Sequence, residues 1–321
     1  MTQNFMRAIR LNAYGDSSVL QLTEEPVPEP LPTEIRVRVH AAGVNPVDWK
    51  TREGGGMAGV LGGPPIGMGW DVSGVVDAVG FGVTTVAPGD EVYGMPWFPR
   101  AAGAYADYVT APSRHFARKP RSIGHIAAAA LPLAALTAWQ ALVDTADVQP
   151  GQRVLIHAAA GGVGHLAVQI AAARGAYVIG TGSAVREEFL RSLGVHEFVD
   201  YRSTRFEEQV EDVDVVIDLV GAADQTNLRS IEVVKPGGIF VGIPAGVGPE
   251  VAAAATARGV RATGFLVEPD HAALVSIAEL IDAGKLRVVV DKTFPLEQAG
   301  AAQDAGATGR TQGKIVIEVA K

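Results

Sequence analysis

The run Arg153-Val154-Leu155-Ile156-His157-Ala158-Ala159-Ala160-Gly161-Gly162-Val163-Gly164-His165 constrains the fold more than any other part of the chain. An apolar β-type segment passes without a polar linker into a glycine-rich turn, and the turn opens the amphipathic segment Leu166–Ala173. That order, strand, tight loop and helix N-terminus, builds a cradle for dinucleotide phosphates. Gly161 lets the backbone approach a pyrophosphate and Gly164 lets helix and strand pack closely, while the free N–H groups of the first helical turn face negative charge. Ala159 stands where the first glycine usually falls, so the pattern is Ala-x-Gly-x-x-Gly. A lone glycine triplet also fits an ordinary strand–turn–helix connection, and the rest of the chain has to decide.

Composition removes several classes. At 321 residues, 48% of them apolar, the chain can bury the cores of two domains. A formal charge of −8 without a Lys/Arg cluster argues against nucleic-acid and anionic-membrane partners. The apolar run Ala127–Leu136 is short and broken by Pro132, and the segment Met1–Arg7 lacks the apolar core of a signal peptide. Cysteine is absent, which excludes disulfides and thiolate metal sites and makes cytoplasmic residence the expectation.

The chain changes character near residue 125. Before it, alternating runs such as Ile35–His40, Val72–Val79 and Tyr105–Val109 lie between Gly- and Pro-rich turns and predict a β-rich unit. After it, Val154–Ala158, Tyr177–Thr181, Glu197–Val199, Val213–Leu219, Ile239–Ile243 and Ala262–Val267 are expected strands. Helical patterns fall between most of them, including Glu187–Ser192, Gln225–Val234 and a weak one near Phe206, so an α/β fold with a doubly wound parallel sheet is predicted. The last fifty or so residues are mixed: helix at Asp270–Ala283, strand at Arg287–Phe294, helix at Glu297–Ala305 and strand at Lys314–Val319.

Several ordered motifs give this pattern a family likeness. They are Ala41-Ala42-Gly43-Val44-Asn45-Pro46-Val47-Asp48, Gly69-Trp70-Asp71-Val72-Ser73-Gly74-Val75-Val76, Gly89-Asp90-Glu91-Val92-Tyr93-Gly94, Gly103-Ala104-Tyr105-Ala106-Asp107-Tyr108-Val109, the glycine loop, and Gly313-Lys314-Ile315-Val316. Together, from Met6 to Val319, the chain resembles a zinc-free medium-chain dehydrogenase/reductase of the quinone oxidoreductase, zeta-crystallin-like, type. The resemblance implies a GroES-like catalytic domain over 1–123 and 268–321, with a Rossmann domain over 124–267 inserted in it and the active site in the cleft between them. It also implies a homodimer formed through the last Rossmann strand, near Ala262–Val267.

Asn45 and Trp70 stand where zinc alcohol dehydrogenases hold a Cys and a His, and neither replaces a thiolate or an imidazole on tetrahedral zinc. Without a Lewis acid, alkoxide formation from an alcohol is disfavoured and alcohol oxidation becomes the weaker reading. NAD-specific sheets carry an acid at the end of the second strand. Here Gly182, Ser183 and Arg186 follow Tyr177–Thr181 with no acid before Glu187, so NADPH is expected. Relatives that use NADPH carry a basic residue at the position of Arg186 and a Tyr at that of Tyr201. A solvated charge on the first helical turn is the plainer account of Arg186.

Further cofactor contacts follow from position in the family pattern: Ala160, Gly161, Gly162, Val163 and Gly164 in the loop, and Leu219 and Val220 after the fourth strand. Gly242, Ile243 and Pro244, in the segment ending at Ala245, follow the fifth strand, and Gly264 and Phe265 the sixth. Thr137 approaches the nicotinamide side or caps a helix, and Lys314 lies near the cofactor or on a surface strand. Without a metal the acceptor must arrive polarised, as a quinone or an α,β-unsaturated carbonyl taking hydride from NADPH.

Asn45 is the expected donor to the developing oxyanion, with Asp48 or Lys50 as candidate proton relays. Trp70, Trp97 and Phe98 are walls for a flat substrate or core residues of the β domain. Glu53–Pro64, rich in glycine, is expected as a mobile lid. Two other classes stay open. One is a non-enzymatic, crystallin-like NADPH-binding protein. The other is an enoyl-thioester reductase of a polyketide-type pathway, for which Arg100, Arg114, Arg118, Lys119 and Arg121 would form a basic entrance.

Overall fold

In the computed structural model, residues 4–244 and 246–320 are described; Met1–Gln3, Ala245 and Lys321 lie outside them. Residues up to Leu136, with those from Glu268 onward, form one compact unit, and Thr137–Val267 form the other.

In chain order the strands of the first unit are β1 (Phe5–Leu11), β2 (Leu20–Pro26), β3 (Glu34–Val44), β4 (Ile66–Gly67), β5 (Val72–Val79), β6 (Glu91–Gly94), β7 (Tyr108–Pro112) and β8 (Phe116–Arg118). The second unit holds β9 (Arg153–Ile156), β10 (Tyr177–Gly182), β11 (Glu197–Asp200), β12 (Val213–Asp218), β13 (Val234–Gly242) and β14 (Arg261–Gly264). The chain then returns to the first unit with β15 (Val290–Pro295) and β16 (Lys314–Glu318).

The first unit contains a small sheet ordered β2-β1-β4 and a larger one ordered β15-β16-β3-β5-β6-β8, with β7 also on β3. The first half of β3 alternates as a one-sided strand should: Val37 and Val39 are buried while Arg38 is exposed. From Ala41 to Val44 every residue is buried, because β16 pairs with this end and helix α3 (His125–Ala129; α1, Pro46–Arg52, and α2, Ala58–Leu61, precede it) packs against β3. Gly43 permits that approach: a Cβ there would lie 2.4 Å from the Ala129 carbonyl and 2.5 Å from an Asp71 carboxylate oxygen. The same packing moves the domain boundary. A division at 123/124 was expected, yet α3 and the start of α4 (Pro132–Trp139) belong to the β-rich unit, since Ala129 and Ala130 share a buried cluster with Ala41 and Val316.

The second unit is a six-stranded parallel sheet ordered β11-β10-β9-β12-β13-β14, the doubly wound arrangement expected from the alternating pattern. Val154-Leu155-Ile156 and Val215-Val216-Ile217 are at most 1% exposed, the continuous apolar signature of strands covered on both faces. Helix α5 (Gly164–Ala173) follows the glycine loop directly. The weak helix expected near Phe206 is only the single 3₁₀ turn Phe206–Glu208, which anchors Phe206 in the core. The last expected helix starts later, at Ala299, after a 3₁₀ turn at Leu296–Gln298.

Candidate functional site

The loop between β9 and α5 is built around backbone donors. The N–H of Ala159 bonds to the Thr181 carbonyl at 3.0 Å and that of Gly161 to the Ala158 carbonyl at 3.0 Å. Among the described residues the N–H groups of Ala160, Gly162 and Val163 have no partner within the chain, which is the donor set a helix N-terminus offers an anion. A Cβ on Gly164 would lie 2.4 Å from the Ala158 carbonyl, so only glycine fits. The strained residue is Ala158, at φ 47, one position before the alanine that replaces the usual glycine.

His157 supports this loop from below. It is 2% exposed, with Nδ1 3.2 Å from Thr181 Oγ1 and Nε2 2.9 Å from Ser230 Oγ. Ser230 spends its single proton on the Thr226 carbonyl at 2.6 Å, so His157 Nε2 is the N–H donor and Nδ1 accepts from Thr181. Burial lowers the imidazole pKa to about 3 and keeps it neutral.

Beyond the loop, a cavity of about 460 Å³ opens at the carboxyl edge of the sheet, lined by Thr181, Tyr201, Arg202, Ser203, Arg205 and Val220 among others. The Tyr201 N–H bonds to the Gly182 carbonyl at 3.2 Å, which brings two of the expected cofactor residues together. Arg202 lies over the Tyr201 ring at 5.8 Å, and among the described residues it forms no ion pair. Sequence reasoning missed Arg202; the polar run Asp200-Tyr201-Arg202-Ser203 following a strand was the available signal. Ser183 precedes the short turn Ala184–Arg186, so Arg186 stands beside the end of β10, and Glu187 pairs with Arg191 at 2.8 Å. Leu219 and Val220 follow β12, and Ile243 and Pro244 follow Gly242 at the end of β13. Gly264 closes β14, with Phe265 next to it. All stand at the same carboxyl edge, where open α/β sheets bind ligands. Thr137 is inside α4 and 3% exposed, so it does not cap a helix. These donors and this cavity fit a phosphorylated dinucleotide.

In the β-rich unit a buried polar cluster forms around the N-terminus of α1. Asn45 is its N-cap, and Asp48 accepts the Asn45 backbone N–H at 2.6 Å. The Asn45 side chain reaches elsewhere: Nδ2 donates to Asp71 Oδ2 at 2.8 Å and Oδ1 accepts from Lys314 Nζ. The β16–β3 register, Ile315 opposite Val44, delivers Lys314 to this point. Its ammonium also bonds to the Val44 carbonyl at 3.0 Å and lies 3.7 Å from Asp71. Asp71 Oδ1 takes the Leu133 N–H at 2.7 Å.

Asp48 Oδ2 additionally accepts from the Tyr105 hydroxyl at 2.8 Å, whereas its Oδ1 has no partner among the described residues. Burial, with the Asn45 and Tyr105 bonds partly opposing it, pushes the Asp48 pKa up to about 7. Burial raises Asp71 and lowers Lys314, each opposed by the other's charge.

Several expected roles change here. Lys314 is not on a surface strand: it is 3% exposed and bonded to the chain's own oxygens. Trp70 is a core residue, 0% exposed, with its indole N–H on the Arg100 carbonyl at 2.7 Å, and Phe98, 5% exposed, packs edge-on against it. Trp97 is half-buried at φ 57, its indole N–H tied to the Thr110 carbonyl at 2.8 Å. Lys50 is exposed on α1, away from the buried cluster. The segment 53–64 contains α2, and its Gly56 lies against the Val47 carbonyl and Thr51 of α1.

The basic residues expected at an entrance are partly spent: Arg118 pairs with Asp90 at 2.8 Å, and Lys119 is buried on the Pro120 and Ile123 carbonyls. The donor set does not suit zinc, because Asn45 is occupied by Asp71 and Lys314 and the Trp70 indole has no lone pair to give. No helix among the described residues is long and apolar enough to cross a membrane.

A Rossmann sheet with a phosphate cradle, joined to a β-rich unit bearing a buried polar cluster, defines a nicotinamide-dependent oxidoreductase. The sequence profile of the alcohol dehydrogenase GroES-like domain matches residues 31–121, and that described as zinc-binding dehydrogenase matches 193–317. The human protein named NAD(P)H oxidoreductase RTN4IP1, mitochondrial, is 33% identical across 98% of this chain and 89% of its own. The Arabidopsis thaliana protein named NADPH-dependent alkenal/one oxidoreductase, chloroplastic, is 33% identical across 97% of this chain and 79% of its own. A solved structure, the quinone oxidoreductase from Coxiella burnetii, superposes with a TM-score of 0.93 at 38% identity, covering 99% of this chain and 100% of that one. The chain belongs to the medium-chain dehydrogenase/reductase superfamily, in its quinone oxidoreductase branch.

Proposed function

We propose that the protein is an NADPH-dependent, metal-independent reductase of quinones or α,β-unsaturated carbonyl compounds. The observation that carries this reading is the Asn45 amide. Its Nδ2 carries two protons, one given to Asp71 and the other without an acceptor among the described residues. A buried N–H without a partner in the chain is free to meet a ligand oxygen or a water. A carbonyl oxygen of the substrate completes it.

The loop donors of Ala160, Gly162 and Val163 take the pyrophosphate, and Ser183, Arg186, Tyr201 and Arg202 take the phosphorylated ribose. The bound cofactor supplies hydride to an electron-poor carbon. As that carbon gains the hydride, the π pair of the acceptor moves onto the carbonyl oxygen. There the spare N–H of Asn45 stabilises the charge without titrating. Asp48, close to neutrality in pKa and with Oδ1 unpaired, is the group suited to return the proton, directly or through water. The glycines of 53–64, four of them at positive φ, allow this segment to shift from α1 and admit substrate.

We further propose a cytoplasmic homodimer with neither nucleic-acid nor membrane partners. The outer edge of β14, unpaired among the described residues, favours the dimer, and the cysteine-free, net-acidic composition the rest. The testing experiment follows NADPH oxidation with a naphthoquinone, a 2-alkenal and a crotonyl thioester. Turnover of either of the first two supports the reading. Turnover of the thioester alone selects an enoyl-thioester reductase, and no turnover with any selects a binding protein.

A further inference from the structure

The Asn45 amide has a cation on one side and an anion on the other. Lys314 Nζ faces Oδ1, and Asp71 Oδ2 lies 2.8 Å from Nδ2. An amide rotated by half a turn would set N–H against ammonium and carbonyl against carboxylate, two repulsions inside a cluster that is at most 3% exposed. Only one orientation survives. Each charged partner is itself held, Lys314 by the Val44 carbonyl at 3.0 Å and Asp71 by the Leu133 N–H at 2.7 Å. The Asn45 main chain is pinned separately, through its N–H to Asp48 at 2.6 Å. Nothing in this arrangement needs a charged pair for packing alone. An amide caps a helix without one, and apolar residues would fill the same volume at less desolvation cost.

We propose that Lys314 and Asp71 are positioning residues that lock the Asn45 amide so that its free N–H, and never its carbonyl, meets the substrate oxygen. The inference rests on the proposed reductase reading for its kinetic consequence, and on the amide itself for its structural one. It sets Lys314 apart from the cofactor phosphates.

Removing Lys314 alone strands Asp71 and risks misfolding, so the informative variant is Lys314→Met/Asp71→Leu, which takes out both charges together. Its kcat is expected to fall about 100-fold, as for loss of one oxyanion donor, with the dissociation constant for NADPH unchanged. In an Asn45→Ala background the same pair of substitutions should cost almost nothing further, because the lock acts only through Asn45. A full-sized loss in that background, or weakened NADPH binding with kcat intact, overturns the proposal. The Asn45 side-chain amide resonances, assigned by their disappearance in Asn45→Asp, judge the lock without turnover. Two widely separated, slowly exchanging proton signals are expected in the wild type, moving together in the double variant, and spectra identical in the two proteins overturn it. Absence of turnover in the wild type with every acceptor would sink the reductase reading and leave the amide test to decide the lock.

Discussion

Replacing Asp48 by Asn tests the buried cluster through stability. Asp48 is 0% exposed and its pKa is raised from 3.8 to about 7, chiefly by burial. An acid whose folded pKa is raised binds its proton more tightly in the native state. Its contribution is therefore complete below about pH 4 and is lost as the pH rises to about 7. A rise of roughly 3 units at about 1.4 kcal/mol each makes this about 4 kcal/mol. Asparagine keeps the shape and the acceptor toward the Asn45 N–H and the Tyr105 hydroxyl but does not titrate. The assay is urea unfolding of both proteins at steps from pH 4 to pH 9, taking the difference in unfolding free energy so that all other carboxylates cancel. The wild type should lose about 4 kcal/mol relative to Asp48→Asn across the window. Tyr105→Phe, which removes a donor to the carboxylate, should move the window to higher pH. A difference that stays flat with pH refutes the reasoning.

His157 should show the opposite sign. Its pKa is depressed from 6.5 to about 3, so its contribution is present above about pH 6.5 and disappears as pH falls toward 3. That is about 5 kcal/mol of acid lability, which His157→Gln should remove in acid unfolding curves. Gly164→Ala places a methyl 2.4 Å from a carbonyl oxygen and should abolish NADPH binding in fluorescence titration while far-UV dichroism stays largely native. Arg202→Ser should weaken NADPH about 10-fold or more, the size of a lost charge-assisted bond, and leave NADH binding unchanged. Trp70→Phe, at a fully buried position, should cost roughly 1–3 kcal/mol in thermal or urea unfolding without changing KM for the acceptor.

Much of the architecture was legible because periodicity reports burial directly. Strands covered on both faces become continuous apolar runs such as Val215-Val216-Ile217, and these, with the helices between them, announced the parallel sheet. The phosphate loop was legible for a local reason: strand, turn and helix N-terminus are contiguous in sequence. Even there the strain fell on Ala158, because positive φ belongs to the strand exit and leaves no mark in an alanine triplet.

The polar cluster was only half visible. Asn45 and Asp48 lie three residues apart, but Asp71 and Lys314 reach Asn45 across separations of 26 and 269 residues. Their meeting depends on sheet register, which sequence pattern does not encode. The motif around Gly69-Trp70-Asp71 drew attention to the tryptophan, whereas the charge beside it makes the contact. Trp70 and Phe98 illustrate the complementary limit: an aromatic side chain reads the same whether it walls a pocket or fills a core, and only packing separates the two.

The central claim is that the chain moves hydride from a phosphorylated nicotinamide to an acceptor polarised by Asn45. The most direct measurement supplies NADPH deuterated at its transferable C4 position together with an α,β-unsaturated ketone and locates the label in the product. Deuterium at the β-carbon in the wild type, with turnover falling about 100-fold in Asn45→Ala at unchanged NADPH affinity, is the predicted result. Unlabelled product, or an Asn45→Ala enzyme as fast as the wild type, would contradict it.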